Sequence, residues 1–482
     1  MFLGIDIGTS GVKAVLLDEQ GVLVALADAP LGLSRPQPLW SEQDPADWWH
    51  ACQQAVLALD PLLRAQVLAI GLTGQMHGAV VLDARDKVLR PAILWNDGRA
   101  HAECAELEAR VPASRAITGN IAMPGFTAPK LVWLARHEPQ IFAATRTVLL
   151  PKDYIRLVMT GDKASDMSDS AGTLWLDPAV RDWSDEMLSA TGLTRSRMPQ
   201  LFEGTAATGT LRADIAAGWG MRRVPVAAGG GDNAAGAVGV GMIGEGDALM
   251  SLGTSGVIFV ANQQFRPNPD SAVHAFCHCL PGMWHQMAVH LSAASCVDWG
   301  ARQLGLAGPA DFFALAESAA PGAAPELFLP YLSGERTPHN DPHIRAAFLA
   351  CDGDTTPARL ASAVLEGVAF AHVDGIAALR AAGSVIERLS VIGGGARSLH
   401  WGRILASVLE VELDYLEGGE VGPALGAARL ARIALTGEDP VQVCIRPPIK
   451  AVITPDPKIA ERLAPKLNAF RAAYRALSTL QE

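Results

Sequence analysis

The chain has 482 residues, of which 49% are hydrophobic and 18% charged, and this composition excludes an intrinsically disordered protein. Its 50 acidic and 39 basic residues give a formal net charge of −11. Since no run of Lys or Arg offsets that charge, a nucleic-acid-binding protein is also disfavoured. The length is that of about two to four domains.

The amino-terminal segment and the cysteines indicate a cytoplasmic protein. The opening MFLGIDIGTSGVK lacks a basic region and meets Asp6 within its first apolar run, which is not typical of a signal peptide. No window of about 18 or more residues is continuously apolar and free of charged side chains, so we expect no transmembrane helix. The seven cysteines are scattered and odd in number, as in reduced intracellular proteins.

A repeated pattern divides the chain into two halves. Residues 2–17 (FLGIDIGTSGVKAVLL) predict a β-hairpin with a Gly-Thr-Ser-Gly turn, and residues 248–260 repeat the pattern. A strand that runs into three glycines also occurs twice, ending at Gly231 and Gly395, and each copy precedes a helix-like segment. We therefore predict two related α/β domains, residues 1–244 and 245–482.

Three helices have clear sequence signals. Asp44 is a typical N-cap and Pro45 suits the first helical position of a helix that continues through AVLAL. Residues 358–382 carry apolar side chains at three- and four-residue spacing, which predicts a long, mostly buried helix. Residues 458–480 are amphipathic and predict a terminal helix.

The Gly-Thr-Ser-Gly turns are candidate phosphate-binding sites. Backbone N–H groups can converge on an anion there, because glycine has no Cβ atom to block the approach. Hydroxyl donors come from Thr9, Ser10, Thr254 and Ser255. Lys13 offers a cation, and Asp6 could hold the hydration shell of Mg²⁺. The alternative is that both are ordinary hairpin turns.

Asp232 follows a glycine-rich strand end and precedes a helix, where unpaired N–H groups stabilise a carboxylate. It is either a proton acceptor or simply an N-cap.

Two other motifs are weaker. Residues 239–244 spell GxGxxG without the context of a dinucleotide site. The cluster His274, Cys277, His278, Cys279, His285 and His290 lacks usual zinc spacing, which favours core and surface strand positions.

The motifs resemble those of the FGGY family of carbohydrate kinases, and within it the bacterial xylulokinases, over nearly the whole chain. The similar segments include GIDIGTSGVK, LWSEQDPADWW, GQMHG (74–78), ILWNDGR (93–99), LLPKDY (149–154), SDMSDSAGTLWLD (165–177), AGGGDNAAGAVGVG, LPYLSGERTPHN (329–340) and IGGGARS (392–398). The segment GFTAPKLVWLARHE (125–138) resembles the family signature, with Lys130 and Trp133 in place.

The resemblance implies two ribonuclease-H-like domains of the actin-like ATPase superfamily that flank a central cleft. The N-terminal domain would bind the sugar and the C-terminal domain the nucleotide. The implied nucleotide-binding residues are Gly8, Thr9, Ser10, Lys13, Gly253, Thr254, Ser255, Gly394, Gly395 and Arg397. The implied sugar-binding residues are Met76, His77, Asp232 and Asn233. Asp232 would be the catalytic base, and Asp6 a second catalytic residue that holds Mg²⁺ through water.

The implied reaction is ATP-dependent phosphorylation of D-xylulose to D-xylulose 5-phosphate in xylose catabolism. Gln-Met-His in residues 75–77 is the xylulokinase pattern, whereas glycerol kinases carry Arg-Glu after the Gln. Trp95 either flanks the sugar or belongs to the core. The alternatives are another ketose or polyol (D-ribulose, L-xylulose or glycerol) and a catalytically silent sugar sensor. A homodimer is a family expectation; nucleic-acid and membrane partners are not expected.

Overall fold

The computed structural model describes residues 1–417 and 422–480 as an α/β protein with two seven-stranded sheets. Residues 418–421 and 481–482, which belong to the predicted C-terminal domain, lie outside the described residues.

The first half contains fifteen strands and eleven α-helices. The strands are β1 (Phe2–Ile7), β2 (Gly11–Leu17), β3 (Leu23–Pro30), β4 (Glu42–Gln43), β5 (Ala69–Gly74), β6 (Val80–Leu82), β7 (Ala92–Ile93), β8 (Thr147–Leu149), β9 (Ala164–Asp166), β10 (Leu176–Asp177), β11 (Asp182–Trp183), β12 (Gln200–Phe202), β13 (Ala207–Thr210), β14 (Pro225–Ala227) and β15 (Gly230–Gly231). The helices are α1 (Pro45–Ala58), α2 (Pro61–Arg64), α3 (His101–Arg110), α4 (Ser114–Thr118), α5 (Thr127–His137), α6 (Pro139–Ala144), α7 (Pro151–Thr160), α8 (Met167–Ala171), α9 (Asp185–Ala190), α10 (Ala213–Trp219) and α11 (Asp232–Gly239).

The second half is built from the remaining elements. Its strands are β16 (Ala248–Leu252), β17 (Gly256–Asn262), β18 (His274–Cys277), β19 (Trp284–His290), β20 (Leu327–Leu329), β21 (Ala347–Leu349), β22 (Arg388–Ile392), β23 (Glu412–Leu416) and β24 (Ile449–Ile453). Its helices are α12 (Ala294–Gln303), α13 (Pro309–Glu317), α14 (Pro357–Ala381), α15 (Leu399–Leu409), α16 (Gly422–Thr436), α17 (Pro440–Val443) and α18 (Pro457–Ser478), and residues Gly394–Arg397 form a 3-10 turn.

The two large sheets share a six-stranded arrangement, which confirms the predicted duplication and the two-domain fold. The N-terminal sheet runs β13-β14-β5-β1-β2-β3, with β15 also on β5, and the C-terminal sheet runs β18-β19-β17-β16-β22-β23-β24. In each, an antiparallel hairpin (β1–β2 or β16–β17) carries a third antiparallel strand on one side. On the other side come two parallel strands and then an antiparallel one.

The predicted helices are also confirmed. Asp44 caps α1, where its carboxylate accepts the Ala46 N–H at 2.9 Å and Pro45 occupies the first helical position. Helix α14 coincides with the predicted long helix, and α18 with the predicted terminal helix. By length and composition α14 could cross a membrane, but 78% of its most apolar window is buried inside the protein, so it is a core helix.

Helix α16 crosses from the second half of the chain to the sheet of the first half, a feature without a sequence signal. Glycines permit the close approach. A Cβ atom at Gly71 of β5 would lie 1.9 Å from the Ala427 carbonyl oxygen. One at Gly426 would lie 1.8 Å from the Ala235 oxygen of α11. The two halves are therefore joined through backbone-to-backbone packing of α11, α16 and the N-terminal sheet. The division at residues 244 and 245 remains a prediction.

The histidine and cysteine cluster lies in the core. All six side chains are buried, which confirms the interpretation as core positions and corrects the expectation that some lie on a surface strand. His285 stacks on Phe259 with ring centroids 4.7 Å apart, and His274 stacks on Phe276 at 5.5 Å. Phe259 and Phe276 belong to the hydrophobic cluster that joins the C-terminal sheet to the N-terminal domain.

Candidate active site

The ends of three neighbouring strands bring the predicted catalytic residues to one edge of the N-terminal sheet. Ile7 of β1 pairs with Gly74 of β5, and Gly74 pairs with Gly231 of β15, all in parallel. The chain continues from these ends into the first glycine turn, the loop of residues 75–77 and Asp232. Since ligands bind outside the carboxyl ends of parallel strands, this edge is the candidate active site.

The Asp232 carboxylate acts electrostatically on Asp6 at this edge. Burial, reinforced by the Asp232 carboxylate and opposed by Lys13, raises the pKa of Asp6 to about 7. Lys13 lies directly across the β1–β2 ladder from Asp6. Burial also raises the pKa of Asp232 to about 6, against the hydrogen bonds donated by Asn233. A divalent cation near these two partly desolvated carboxylates would stabilise their charged forms.

The structure does not support the N-cap alternative for Asp232. Gly231 occupies the cap position of α11, and Asp232 is the first helical residue. Its Oδ1 atom accepts the backbone N–H of Asn233 at 2.8 Å and the side-chain Nδ2–H of the same residue at 2.9 Å. The other carboxylate oxygen has no hydrogen-bond partner among the described residues, so it is available to a ligand, as a proton acceptor requires.

Met76 and His77 pack beside this strand end. A Cβ atom at Gly231 would lie 2.9 Å from the Met76 sulfur, so the loop rests on the residue before Asp232. His77 Nδ1 lies 2.6 Å from the Gly172 carbonyl oxygen. Burial lowers the pKa of His77 to about 3, so the ring is neutral. Because a carbonyl only accepts, Nδ1 carries the proton and Nε2 offers a lone pair to a hydroxyl donor.

The backbone of His77 is held in an unusual conformation by the signature segment. Its φ angle is 69°, a left-handed value that costs a non-glycine residue about 1 kcal/mol or more. The His77 carbonyl accepts hydrogen bonds from Lys130 Nζ at 2.8 Å and from Thr127 Oγ1 at 3.1 Å, both on α5. Lys130, which has no predicted role within the signature, thus fixes the loop of residues 75–77 (the sugar loop, after the role that the family resemblance implies).

The first glycine turn is tied to this loop by side chains. Thr9 Oγ1 donates to Gln75 Oε1 at 3.0 Å and accepts from Trp95 Nε1 at 2.9 Å. Gln43 joins them, since its Oε1 accepts from Gln75 Nε2 at 2.9 Å and its Nε2 donates to the Thr9 carbonyl at 2.7 Å. The Thr9 hydroxyl is thus engaged within the N-terminal domain.

Trp95 is 46% exposed, so the alternative that it belongs to the core is wrong.

The remaining donors of the two turns differ in availability. The Gly8 N–H donates to the Gly11 carbonyl at 3.0 Å and closes the first turn, whereas the Ser10 side chain is exposed. In the second turn, the Gly253 and Thr254 carbonyls accept N–H groups from the start of α12 at 2.8 and 2.9 Å. Thr254 and Ser255 are exposed, so their hydroxyls remain free for a ligand.

A cavity of about 810 Å³ adjoins the second turn. It lies among α12, α13 and α15, and Gly394, Gly395 and Arg397 of the 3-10 turn line it. A Cβ atom at Gly395 would lie 2.8 Å from Leu252 Cβ, directly before the second turn. The cavity volume is within the range of small-molecule and cofactor sites. The structure therefore brings these three residues together beside the second turn.

A buried ionic cluster supports the segment before Asp232. Lys152 Nζ forms ion pairs with three aspartates, Asp153 at 2.6 Å, Asp166 at 2.8 Å and Asp169 at 3.1 Å, all with fully buried side chains. Ser168 Oγ donates to Asp166 and accepts the Gly231 N–H at 3.0 Å. The cluster thereby holds the backbone from which Asp232 projects. In the sequence its members stand out only as parts of the family-like segments 149–154 and 165–177.

Comparison with known proteins identifies the family of the chain. Residues 1–239 match the FGGY family of carbohydrate kinases, N-terminal domain, and residues 248–435 match its C-terminal domain. The xylulose kinase of Escherichia coli is 54% identical and that of Klebsiella pneumoniae 53% identical, each over 100% of both chains.

Solved structures share the fold over almost the whole length. A crystal structure from Brucella ovis, described as a xyloylose kinase, superimposes with a TM-score of 0.97 at 51% identity and 99% coverage of both chains. The xylulose kinase of Rhodospirillum rubrum superimposes with a TM-score of 0.92 at 31% identity, again over 99% of each chain. The chain is therefore a member of the FGGY family of carbohydrate kinases.

Proposed function

We propose that the protein transfers the γ-phosphoryl group of ATP to D-xylulose and releases D-xylulose 5-phosphate and ADP. The observation that carries the proposal is the position of Asp232, which begins α11 at the sheet edge where the Gln75-Met76-His77 loop also begins. The sugar specificity rests on the similarity to the xylulose kinases and on the Met-His pair of that loop.

The sugar is positioned by the N-terminal domain. His77 Nε2 accepts a hydrogen bond from a hydroxyl group of the ketose, because its Nδ1–H is directed to Gly172. Met76 presents its side chain against Gly231 and limits the room beside the reacting end of the sugar. Asn233 orients Asp232 through its side-chain amide.

In the chemical step, the Asp232 carboxylate accepts the proton of the C5 hydroxyl. The hydroxyl oxygen bonds to the γ-phosphorus while the bond from phosphorus to the β,γ-bridging oxygen breaks, and ADP leaves with that oxygen. Since the transition state of phosphoryl transfer is loose, positioning contributes more than base strength. A carboxylate whose pKa is raised to about 6 is ionised at neutral pH and suffices as acceptor.

Mg²⁺ accompanies ATP in this proposal, and Asp6 is the residue that would hold it, through water. The raised pKa of Asp6, near 7 and caused by burial and by Asp232, fits a site that a cation stabilises. When bound, Mg²⁺ supplies positive charge that offsets the charge on the transferring phosphoryl group. The protein adds to this stabilisation of the phosphoryl charge through Lys13 and through the hydroxyl donors of the two turns, Ser10, Thr254 and Ser255.

The adenosine occupies the cavity lined by Gly394, Gly395 and Arg397, and closure of the domains excludes water from the transfer. We further propose a cytoplasmic enzyme, and a homodimer as the family expectation.

The test is ADP release over a panel of D-xylulose, D-ribulose, L-xylulose, glycerol and sugar-free buffer. We expect the highest kcat/KM with D-xylulose. If another sugar of the panel is preferred, the proposed substrate is wrong, but the proposed kinase activity stands. ADP release that no sugar stimulates, together with sugar binding in calorimetry, would favour the silent sensor.

A further inference from the structure

One face of the C-terminal sheet lies directly over the sugar loop. Phe259 pairs with Met287 across β17 and β19, and Met287 pairs with His274 of β18, so these side chains share a face. Phe259 and Met287 belong to one buried cluster with Met76 and Phe126 of the N-terminal domain, and the His274 ring packs edge-on against Phe126 at 5.4 Å. Side chains on this face therefore border the same space as the sugar loop.

Arg336 reaches this face from a loop that extends the sheet. The Thr337 N–H donates to the Val289 carbonyl at 3.0 Å, and Thr337 Oγ1 accepts the Val289 N–H at 3.0 Å, so residues 335–337 continue the line of β18 along β19. Arg336 Nη1 lies 3.1 Å from His274 Nε2. The guanidinium is thereby placed beside the first residue of β18.

A chain of hydrogen bonds fixes the direction of this contact. Asn120 Nδ2 donates to the carbonyls of Thr118 at 2.8 Å and Ala275 at 3.0 Å, which uses both of its N–H groups and orients its Oδ1. That oxygen lies 3.2 Å from His274 Nδ1. Because Oδ1 only accepts, Nδ1 carries the proton. His274 Nε2 then accepts from Arg336.

The rest of the Arg336 guanidinium has no protein acceptor among the described residues. Its Nε and Nη2 atoms form no hydrogen bond with a described residue and retain access to solvent. Glu335, the adjacent carboxylate, accepts from the backbone N–H groups of Leu291 at 2.9 Å and Arg336 at 2.8 Å and lies 3.3 Å from His290 Nδ1. The Arg336 charge also acts on His77, whose pKa it helps to lower after burial and Lys130.

A purely structural arginine would be expected to use both terminal nitrogens within the protein, as Arg156 does through Nη1 and Nη2 with Thr208 and the Ala227 and Ala228 carbonyls. Arg336 instead keeps a planar fork of donors that His274 orients and that no described residue fully engages. Such a fork suits oxygen acceptors of a ligand.

We infer that Arg336 is a substrate-binding residue of the C-terminal domain, which donates hydrogen bonds to an oxygen of the ketose that His77 holds from the N-terminal domain. This inference rests on the proposed function, since it assigns a further contact to the same sugar. Sugar binding would then draw the two domains together, because each domain contributes a hydrogen-bonding partner.

The test compares Arg336→Met and Arg336→Lys with the wild type. The matched control is Arg345→Met, which removes an exposed arginine of the same loop that donates only to the carbonyls of Pro342, His343 and Ile344. Steady-state assays give the KM for D-xylulose and for ATP, and calorimetry gives the Kd for D-xylulose without nucleotide.

We expect Arg336→Met to raise the KM for D-xylulose about 10- to 100-fold and the KM for ATP less than about threefold, as for loss of a charge-assisted hydrogen bond. Arg336→Lys should lie between this variant and the wild type, and Arg345→Met should match the wild type. If Arg336→Met does not fold, the test of Arg336 rests on Arg336→Lys, for which we expect the KM for D-xylulose to rise about threefold or more.

An unchanged sugar KM in Arg336→Lys and Arg336→Met, or equal rises in the sugar and ATP KM values, would overturn the inference. Wild-type turnover is measured first. If the wild type prefers another sugar, the proposed substrate is wrong, and the same comparison with the preferred sugar still decides the role of Arg336.

Discussion

Thr9 Oγ1 donates to Gln75 Oε1 at 3.0 Å, so the first glycine turn and the sugar loop are joined by a side-chain hydrogen bond. Gln75 also donates through Nε2 to Gln43 and through its backbone N–H to the Ile7 carbonyl at 2.8 Å. The position of Gln75 therefore depends on the strand that carries Asp6, and the geometry of the first glycine turn depends on Gln75.

Gln75→Leu should impair both substrates at once. The substitution removes the acceptor for Thr9 and the donor to Gln43, and each lost hydrogen bond costs about 0.5–1.5 kcal/mol. We expect kcat/KM for D-xylulose and for ATP to fall about tenfold each in steady-state assays.

The control for Gln75 is Gln66→Ala, an exposed residue whose amide donates only to the Leu62 carbonyl. It should leave both values near those of the wild type. A Gln75→Leu enzyme that loses efficiency with only one of the two substrates would contradict the coupling of turn and loop.

The activity should fall with acidification through the pKa of Asp232. Burial raises this pKa to about 6, and only the ionised carboxylate accepts a proton, so activity is present above about pH 6 and lost below it. Asp6, with its pKa raised to about 7 by burial and by Asp232, titrates in the same window and broadens the fall. The pH profile of kcat/KM for D-xylulose measures the midpoint.

Asn233→Ala distinguishes Asp232 from other titrating groups. The variant removes the Nδ2–H donor at 2.9 Å that stabilises the carboxylate, so the acid limb should move to higher pH. A wild-type midpoint near pH 4 would show that Asp232 does not control the fall of activity at acid pH. The same conclusion would follow if the midpoint were unchanged in Asn233→Ala.

Lys152→Met should destabilise the N-terminal domain. The substitution leaves three buried carboxylates without their cation, and removal of one partner from a buried ionic cluster costs about 3–5 kcal/mol. Denaturation by urea, followed by circular dichroism, measures the change in free energy of unfolding.

Lys163→Met provides the comparison, because Lys163 forms a surface ion pair with Asp86. Its loss should cost less than about 1 kcal/mol. Equal stability of the Lys152 and Lys163 variants would mean that the buried cluster does not need its cation.

Gly426→Ala should disturb the junction of the domains. The added methyl group would lie 1.8 Å from the Ala235 carbonyl oxygen, so α16 and α11 must separate. We expect a loss of about 1–3 kcal/mol in thermal unfolding, and a lower kcat because Asp232 starts α11.

Gly218→Ala on α10 is the matched control, since a Cβ atom there meets nothing within 4 Å. It should be neutral or stabilise by about 0.4–1 kcal/mol. A Gly426→Ala protein as stable as Gly218→Ala would refute the close packing of the two helices.

The duplicated architecture could be predicted because its signals are local. The Gly-Thr-Ser-Gly turns, the strands that end in glycines and the Asp44 cap are each defined within a few residues. Two copies of the same pattern then imply two copies of the same sheet. The contact between Asp232 and the sugar loop was accessible only through the family resemblance, since residues 75–77 and 232 are distant in the chain.

Other features depend on contacts between distant segments and leave no local pattern. The packing of α16 on the N-terminal sheet is an example, because its glycines and alanines also suit an ordinary helix. The Thr9 hydroxyl was expected to be a phosphate donor, yet Gln75 and Trp95 engage it from 66 and 86 residues away. Arg336 likewise becomes significant only beside His274.

The most direct test of the proposed function is phosphoryl transfer to D-xylulose by the wild type and by Asp232→Asn, a variant of equal size that cannot accept the proton. ADP release and D-xylulose 5-phosphate are measured together at saturating ATP and Mg²⁺. We predict equal amounts of both products from the wild type and a kcat about 100- to 10,000-fold lower in Asp232→Asn, with the KM for ATP little changed. Near-normal turnover by Asp232→Asn would contradict the assignment of Asp232 as the proton acceptor, and absence of D-xylulose 5-phosphate from the wild-type reaction would contradict the proposed substrate.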